Sequence, residues 1–426
     1  MRVALAAVCL GAVCVGAAPA SATPKALADV DCSQIGVDDG PVDSTSPSTP
    51  FDLIDMPEAW ARLARRGETP GAGVRVAVVD SGVAAGAQVP VVERVSFSLG
   101  GVEAELGDYH GTAVAGLVAG PRRTAAPEPL PVGFAPGAEV VDVRVYDSAE
   151  PGEGQVGVET PRVAAGLRWV ADNAERLDIG VVTVALVVGP SRQLEEAIRA
   201  VLDADVVVVA GSGNRPVEGQ PLFDELGELR TGEDAAGLVF PAGYDGVLAV
   251  SATAGGAPGA EADPRSSILQ SSAIDVAAPT YGAVTAGVNG GTCVLPSIAT
   301  SWAAAEVAGV VAVLRAAYPR QSARQVVSRL VQTADGAPLV PDNLTGAGVV
   351  QPDEALSRPL QPAASGEVAT NAEEPDRNPR AQAPVPPEDR LAETRRNAVW
   401  LGLIGGAALA IAALLRPLLA RRRSGL

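Results

Sequence analysis

Apolar positions along this chain gather into short Val-rich runs separated by polar, glycine-rich segments. Residues 74–79 (Val-Arg-Val-Ala-Val-Val), 140–145, 206–209 (four valines) and 248–250 predict strands. Residues 181–188 form a nearly continuous apolar run. Short β-branched runs of this kind fit strands buried on both faces. Between them, residues 162–177 have helical periodicity, with Ala164, Ala165, Leu167, Trp169 and Val170 available for a buried face. Residues 194–202 look helical as well, and residues 302–318 predict an Ala/Val-rich helix ended by Pro319. Strands alternating with helices over residues 51–356 predict an α/β fold with a mainly parallel sheet covered on both sides. Such a sheet places functional residues in loops at the carboxyl ends of its strands.

The two ends of the chain depart from this pattern. Arg2, an apolar stretch over residues 3–18 and the small residues Ala20-Ser21-Ala22 predict a signal peptide over residues 1–22. Residues 23–50 lack apolar periodicity and read as an extension wrapping the body, and the Pro-rich residues 357–397 read as a linker. Residues 398–415 hold 18 residues without a charge, about the length that crosses the hydrocarbon core. Arg395 and Arg396 precede this run, and Arg416, Arg421, Arg422 and Arg423 follow it. The heavier basic flank predicts a single-pass anchor, with the body outside the cell membrane and residues 416–426 as a cytoplasmic tail.

Composition sharpens this in three ways. Aromatic residues are 3% of the chain against 47% hydrophobic, so the core must be built from Ala, Val and Leu. A net charge of -18 argues against nucleic acid as a partner. Cys9 and Cys14 would leave with the signal peptide, so Cys32 and Cys293 remain, either as one disulfide pinning the extension to the body or as two free thiols. No metal-ligand cluster stands out, and no cofactor is expected.

Four polar points carry the candidate chemistry. Asp80 directly follows the first Val-rich strand in Val79-Asp80-Ser81-Gly82, where a plain turn is the competing reading. His110 opens the small-residue helix His110-Gly111-Thr112-Ala113-Val114-Ala115-Gly116 and is the only histidine in the chain. A lone histidine is usually structural, yet a hydrolase needing an imidazole base has no other candidate here. Asn214 follows the four-valine strand in Gly211-Ser212-Gly213-Asn214, which also fits an ordinary turn. Ser301, in Ala299-Thr300-Ser301-Trp302-Ala303-Ala304, stands where a helix begins; it fits an N-cap, and it also faces the positive end of the helix dipole. Together they supply a nucleophile, a base, an orienting carboxylate and an oxyanion donor.

These motifs, in the order Asp…His…Ser, resemble those of the subtilisin-like serine proteases, as do Gly133-Phe134-Ala135-Pro136, Phe240-Pro241-Ala242 and Asp275-Val276-Ala277-Ala278-Pro279. The resemblance implies a subtilisin-like three-layer sandwich acting on protein or peptide substrates. It also implies a triad of Asp80, His110 and Ser301, with Asn214 in the oxyanion hole and Ala185, Leu186 and Val187 lining the substrate. Departures are equally specific. Ala299 stands where the family has glycine, Ala305 where it has proline, and Thr183-Val184-Ala185-Leu186-Val187 where it reads Asn-x-Ser-x-Gly. A methyl at position 299 would crowd a turn that needed positive φ, and Val187 would narrow the specificity pocket. An acidic insertion over residues 215–237, with Glu218, Asp224, Glu225, Glu228, Glu233 and Asp234, is placed to overhang the cleft.

The whole architecture, with Val247-Leu248-Ala249-Val250 and Gly346-Ala347-Gly348-Val349-Val350, is similar to the mycosins. That narrower resemblance implies a membrane-anchored protease associated with a type VII secretion membrane complex and cleaving few secreted substrates. The alternative it leaves open is a weakly active or inactive scaffold that stabilises that complex.

Overall fold

The computed structural model describes residues 30–99, 101–102, 105–123, 130–218, 220, 222–256, 263–368 and 391–421. The expected signal peptide lies outside the described residues, as do residues 23–29 of the expected extension, residues 369–390 of the expected linker and residues 422–426 of the expected tail. The chain divides into two units, residues 1–369 and 370–426.

The first unit is built on a sheet of seven strands: β1 (Arg75–Asp80), β2 (Val91–Ser96), β3 (Glu139–Arg144), β4 (Ile179–Val184), β5 (Val207–Gly211), β6 (Leu248–Thr253) and β7 (Val276–Pro279). Their spatial order is β2-β3-β1-β4-β5-β6-β7, and every pairing is parallel. A separate antiparallel hairpin joins β8 (Ala283–Ala286) to β9 (Thr292–Leu295). The helices of this unit are α1 (Thr49–Leu53), α2 (Met56–Arg65), α3 (His110–Ala119), α4 (Thr160–Leu177), α5 (Arg192–Asp203), α6 (Phe223–Leu226), α7 (Thr300–Ala317), α8 (Ala323–Gln332) and α9 (Pro352–Ser357). The expected α/β sandwich with a mainly parallel sheet is therefore met.

Alternation along each strand divides the core into two layers. Val76, Val78, Val181, Val207, Val209, Leu248 and Val250 share one cluster with α3 and α7. Ala77, Val79, Val141, Val143, Val182, Val184, Val208 and Ala210 join α4 and α5 in the other. Both faces are covered, which is why the strands read as unbroken Val runs rather than as apolar-polar alternation. The apolar run over residues 181–188 is not all strand: β4 ends at Val184, and Val188 then pairs antiparallel with Phe240.

The extension is tied to the hairpin. Cys32 and Cys293 form a disulfide across 261 residues, which excludes the two-thiol alternative. Val294 N–H donates to Val30 O at 2.9 Å, Thr292 N–H to Val42 O at 3.1 Å, and Ser44 N–H to Thr292 Oγ1 at 2.9 Å. Arg123 donates to the Ser44 and Ser46 carbonyls.

Among the described residues two helices are long and apolar enough to cross a membrane. One is α7, which is mostly buried and is the central helix of the core. The other is α10 (Ala392–Arg421) in the second unit, whose residues through Arg416 are exposed.

Helix α7 carries an anomaly. Glu306 is fully buried, and neither carboxylate oxygen has a hydrogen-bond partner among the described residues. Burial pushes its pKa well above the ordinary carboxylate value. A folded-state pKa raised in this way gives a contribution that is intact below the unfolded value, near ~4.3, and is lost as pH rises from there towards the folded pKa. Glu306→Gln keeps the shape and removes the titration. Relative to the variant, the native chain should lose roughly 1.4 kcal/mol per pH unit across that window. Denaturant melts between pH 5 and pH 8 check this, and parallel curves for the two proteins would refute it.

Candidate active site

Strand β1 delivers Asp80 to the carboxyl edge of the sheet, where its side chain is 1% exposed. The Ser81 N–H donates to Asp80 Oδ1 at 2.7 Å, and the chain turns away through Gly82 at φ 97°. Helix α3 begins at His110 against this turn. A Cβ on Gly111 would sit 2.5 Å from Gly82 O, so only glycine lets the helix end come this close. The result is a direct pair: His110 Nδ1 lies 2.8 Å from Asp80 Oδ1 and 3.0 Å from Oδ2.

Helix α7 brings Ser301 to the same edge. Its N-cap is Ala299 at φ -147° and ψ 137°, an extended conformation open to any L-residue, so the expected crowding from the Ala299 methyl is absent. Ser301 is not itself the cap; it lies in the first turn, where its N–H has no intrahelical acceptor. The Ser301 hydroxyl donates to Ala185 O at 3.2 Å. Among the described residues no hydrogen bond joins Ser301 to His110, and such bonds commonly tighten only when a substrate is in place.

Asn214 lies just past β5. Its Oδ1 accepts from Thr300 N–H at 2.8 Å and from Thr300 Oγ1 at 3.2 Å, which fixes the amide oxygen at the start of α7 and leaves the NH2 out of these bonds. Gly211 permits this closeness, because a Cβ there would be 2.9 Å from Thr300 Oγ1. Of the three substrate-lining candidates, Ala185 and Leu186 are buried, and Val187 is 38% exposed.

The acidic insertion is a folded lobe. Its Leu226 and Ala235 pack with Val239 and Leu269, outside the insertion, in one small cluster. Arg215 and Glu233 make a buried bidentate pair at 2.8 Å, so Glu233 faces inward rather than over the cleft. Glu218, Asp224, Glu225, Glu228 and Asp234 are exposed. The lobe is anchored beside Asn214, which bridges to Ile268.

Three neighbours of the site escaped the sequence reading. The Trp302 ring lies 4.8 Å from the His110 ring. Asp108 accepts the His110 N–H at 3.0 Å through Oδ1. Tyr146 donates its hydroxyl to Asp80 Oδ1 at 3.2 Å. Trp302 directly follows Ser301, so adjacency was an available signal; Tyr146 becomes visible only once β3 is known to lie beside β1. Among the described residues no group of three or more His, Cys, Asp or Glu side chains is placed to hold a metal ion.

Burial, the largest single influence on His110, lowers its pKa, but the charge and hydrogen bond of Asp80, followed by the charge of Asp108, outweigh it, and the net pKa is raised above 6.5. The imidazole is therefore a stronger base than usual, and it is neutral only at higher pH. The His110 titration midpoint should lie above pH 6.5. Asp108→Asn removes one of the raising charges and keeps an oxygen for the His110 backbone N–H, so it should move that midpoint to lower pH. NMR titration of the single imidazole checks both.

A family model described as the Subtilase family matches residues 71–348. Mycosin-4 of Mycobacterium tuberculosis is 31% identical over 391 residues, covering 86% of this chain and 80% of that protein. Mycosin-1 of the same organism is 32% identical over 383 residues, covering 83% and 82%. The solved structure of the MycP3 protease from the type VII (ESX-3) secretion system superposes with a TM-score of 0.57 at 28% identity, covering 75% of this chain and 91% of that one.

Proposed function

The chain belongs to the subtilase family, is similar to the mycosins within it and is a serine endopeptidase; from that premise we propose that Asp80, His110 and Ser301 are its catalytic triad. Ser301 attacks the scissile carbonyl, His110 takes its proton and returns it to the leaving amine, and Asp80 holds the imidazole. The Asn214 amide and the Ser301 N–H receive the oxyanion. The observation that carries this reading is the Asp80–His110 pair at 2.8 Å, on the strand edge where α7 also presents Ser301.

The substrate is an extended peptide laid along Ala185, Leu186 and Val187, pairing by its backbone as an added strand does. Val187 supplies the exposed side chain of that wall, so the adjacent subsite takes a small residue. The mature chain is anchored through residues 398–415 with its body on the extracytoplasmic side, and it associates with a type VII secretion membrane complex to process few secreted proteins. Residues 1–22 direct export and residues 357–397 serve as the stalk.

One observation favours a second reading. The Ser301 hydroxyl is engaged by Ala185 O rather than by His110, as it would be in a scaffold that cleaves slowly or not at all. Labelling with a fluorophosphonate probe separates the two readings. Ser301-dependent labelling, abolished in Ser301→Ala, is expected of the protease; absence of labelling with secretion lost only on deletion of the chain would establish the scaffold. Val187→Gly should raise kcat/KM for peptides with a bulky residue at the cleavage site by about 10-fold or more, with little gain for small residues. A panel of peptides differing only at that position measures it.

A further inference from the structure

We propose that Tyr146 is a positioning residue for the triad, its buried hydroxyl fixing the Asp80 carboxylate and taking up part of its charge. This rests on the assignment of Asp80 and His110 above and adds a further member to their hydrogen-bonded chain.

Tyr146 is 2% exposed and belongs to the layer that holds Val79 and Val143. As a space-filler it would serve as well without its hydroxyl, since burying an O–H away from water is unfavourable unless it is bonded. The partner it reaches is Asp80 Oδ1, at 3.2 Å. The approach is built into the sheet. Asp80 is in register with Arg144 on the neighbouring parallel strand, and Val145 N–H donates to Asp80 O at 2.8 Å, which places Tyr146 next along the chain from a fixed backbone contact.

Asp80 consequently has donors from three parts of the chain. These are Ser81 N–H at 2.7 Å in its own turn, the His110 ring at 2.8 Å from α3, and Tyr146 at 3.2 Å beyond β3. All three meet Oδ1, whereas Oδ2 has the His110 ring at 3.0 Å. Without Tyr146 the carboxylate would keep only the Ser81 N–H and the His110 ring. The phenol remains a donor throughout the working range, because burial, then the charges of Asp80 and Asp108, push its pKa well above the ordinary value.

The consequence for His110 has a definite sign. The groups facing the imidazole are Asp80 and Trp302, with Asp108 on the His110 backbone N–H and adding its charge, and the Tyr109 ring beside Trp302; Asp80 in turn faces Tyr146 and Ser81. A phenol that shares the Asp80 charge weakens the pull of that charge on the imidazolium. Removing the hydroxyl concentrates the charge on the His110 Nδ1–H, so the imidazolium becomes more stable.

The test uses the full chain in detergent micelles. His110 is the only histidine, so a ring-labelled sample gives one imidazole signal to titrate by NMR without any turnover. In Tyr146→Phe the His110 midpoint should rise by about half a pH unit, and the acid limb of kcat/KM should rise with it. An unmoved or lowered midpoint in a folded variant overturns the proposal, because loss of packing alone would leave the titration in place. If Tyr146→Phe does not fold, 3-fluorotyrosine incorporation into Tyr109→Phe makes the phenol a stronger donor and should lower the midpoint; no shift overturns the proposal equally. Failure of the triad reading appears separately, as absence of fluorophosphonate labelling, and leaves the titration readable.

Discussion

The cleft depends on two helix N-termini pressed against strand ends more closely than a side chain would allow. Gly111 brings α3 onto the Asp80–Gly82 turn, and Gly211 brings β5 onto Thr300 at the start of α7. Without the first, His110 could not reach Asp80 at 2.8 Å; without the second, Asn214 could not accept from Thr300 N–H. The same closeness orients both helix dipoles towards one edge of the sheet. Unpaired N–H groups of α7 then face the place where a tetrahedral intermediate would carry negative charge.

Three buried carboxyl groups show how differently one fold can treat the same chemistry. Asp80 is nearly inaccessible yet receives donors from a turn, a helix and a tyrosine. Asp142, on the neighbouring strand, is pushed up to about 6 by burial, although Val83 N–H and Arg94 donate to it and hold the loop after Asp80. Glu306 has no donor among the described residues, and burial pushes its pKa well above the ordinary carboxylate value. Donors thus reach Asp80 and Asp142, whereas the central helix carries an acid with none among the described residues, only five positions beyond Ser301.

What could be read from the chain followed the strength of local periodicity. The Val runs gave β1, β3, β4, β5 and β6 to within a few residues, because strands buried on both faces leave little alternative. Strand β2, at the sheet edge, mixes Glu93 and Arg94 with its valines and is half-exposed, so it carries no comparable run. Strands β7, β8 and β9 are four residues each, and no such stretch was assigned. Asp80, His110, Asn214 and Ser301 were legible because each stands at the end of a readable element. Tyr146 was not, since its role exists only across the β1–β3 register. The concern over Ala299 held only for a turn that needed positive φ, and the backbone at that position is extended.

The extension is more than a strap along the surface. Its disulfide and backbone hydrogen bonds end on β9, and β9 pairs with β8. Strand β8 in turn lies against α3: Thr285 Oγ1 donates to Ala113 O at 2.6 Å, and Gly116 leaves no room for a side chain between the helix and Thr285 and Ala286. Helix α3 carries His110 in its first turn. A continuous set of covalent, hydrogen-bonded and close-packed contacts thus runs from Cys32 to the imidazole. Holding the extension is, physically, part of holding the helix that must keep His110 beside Asp80.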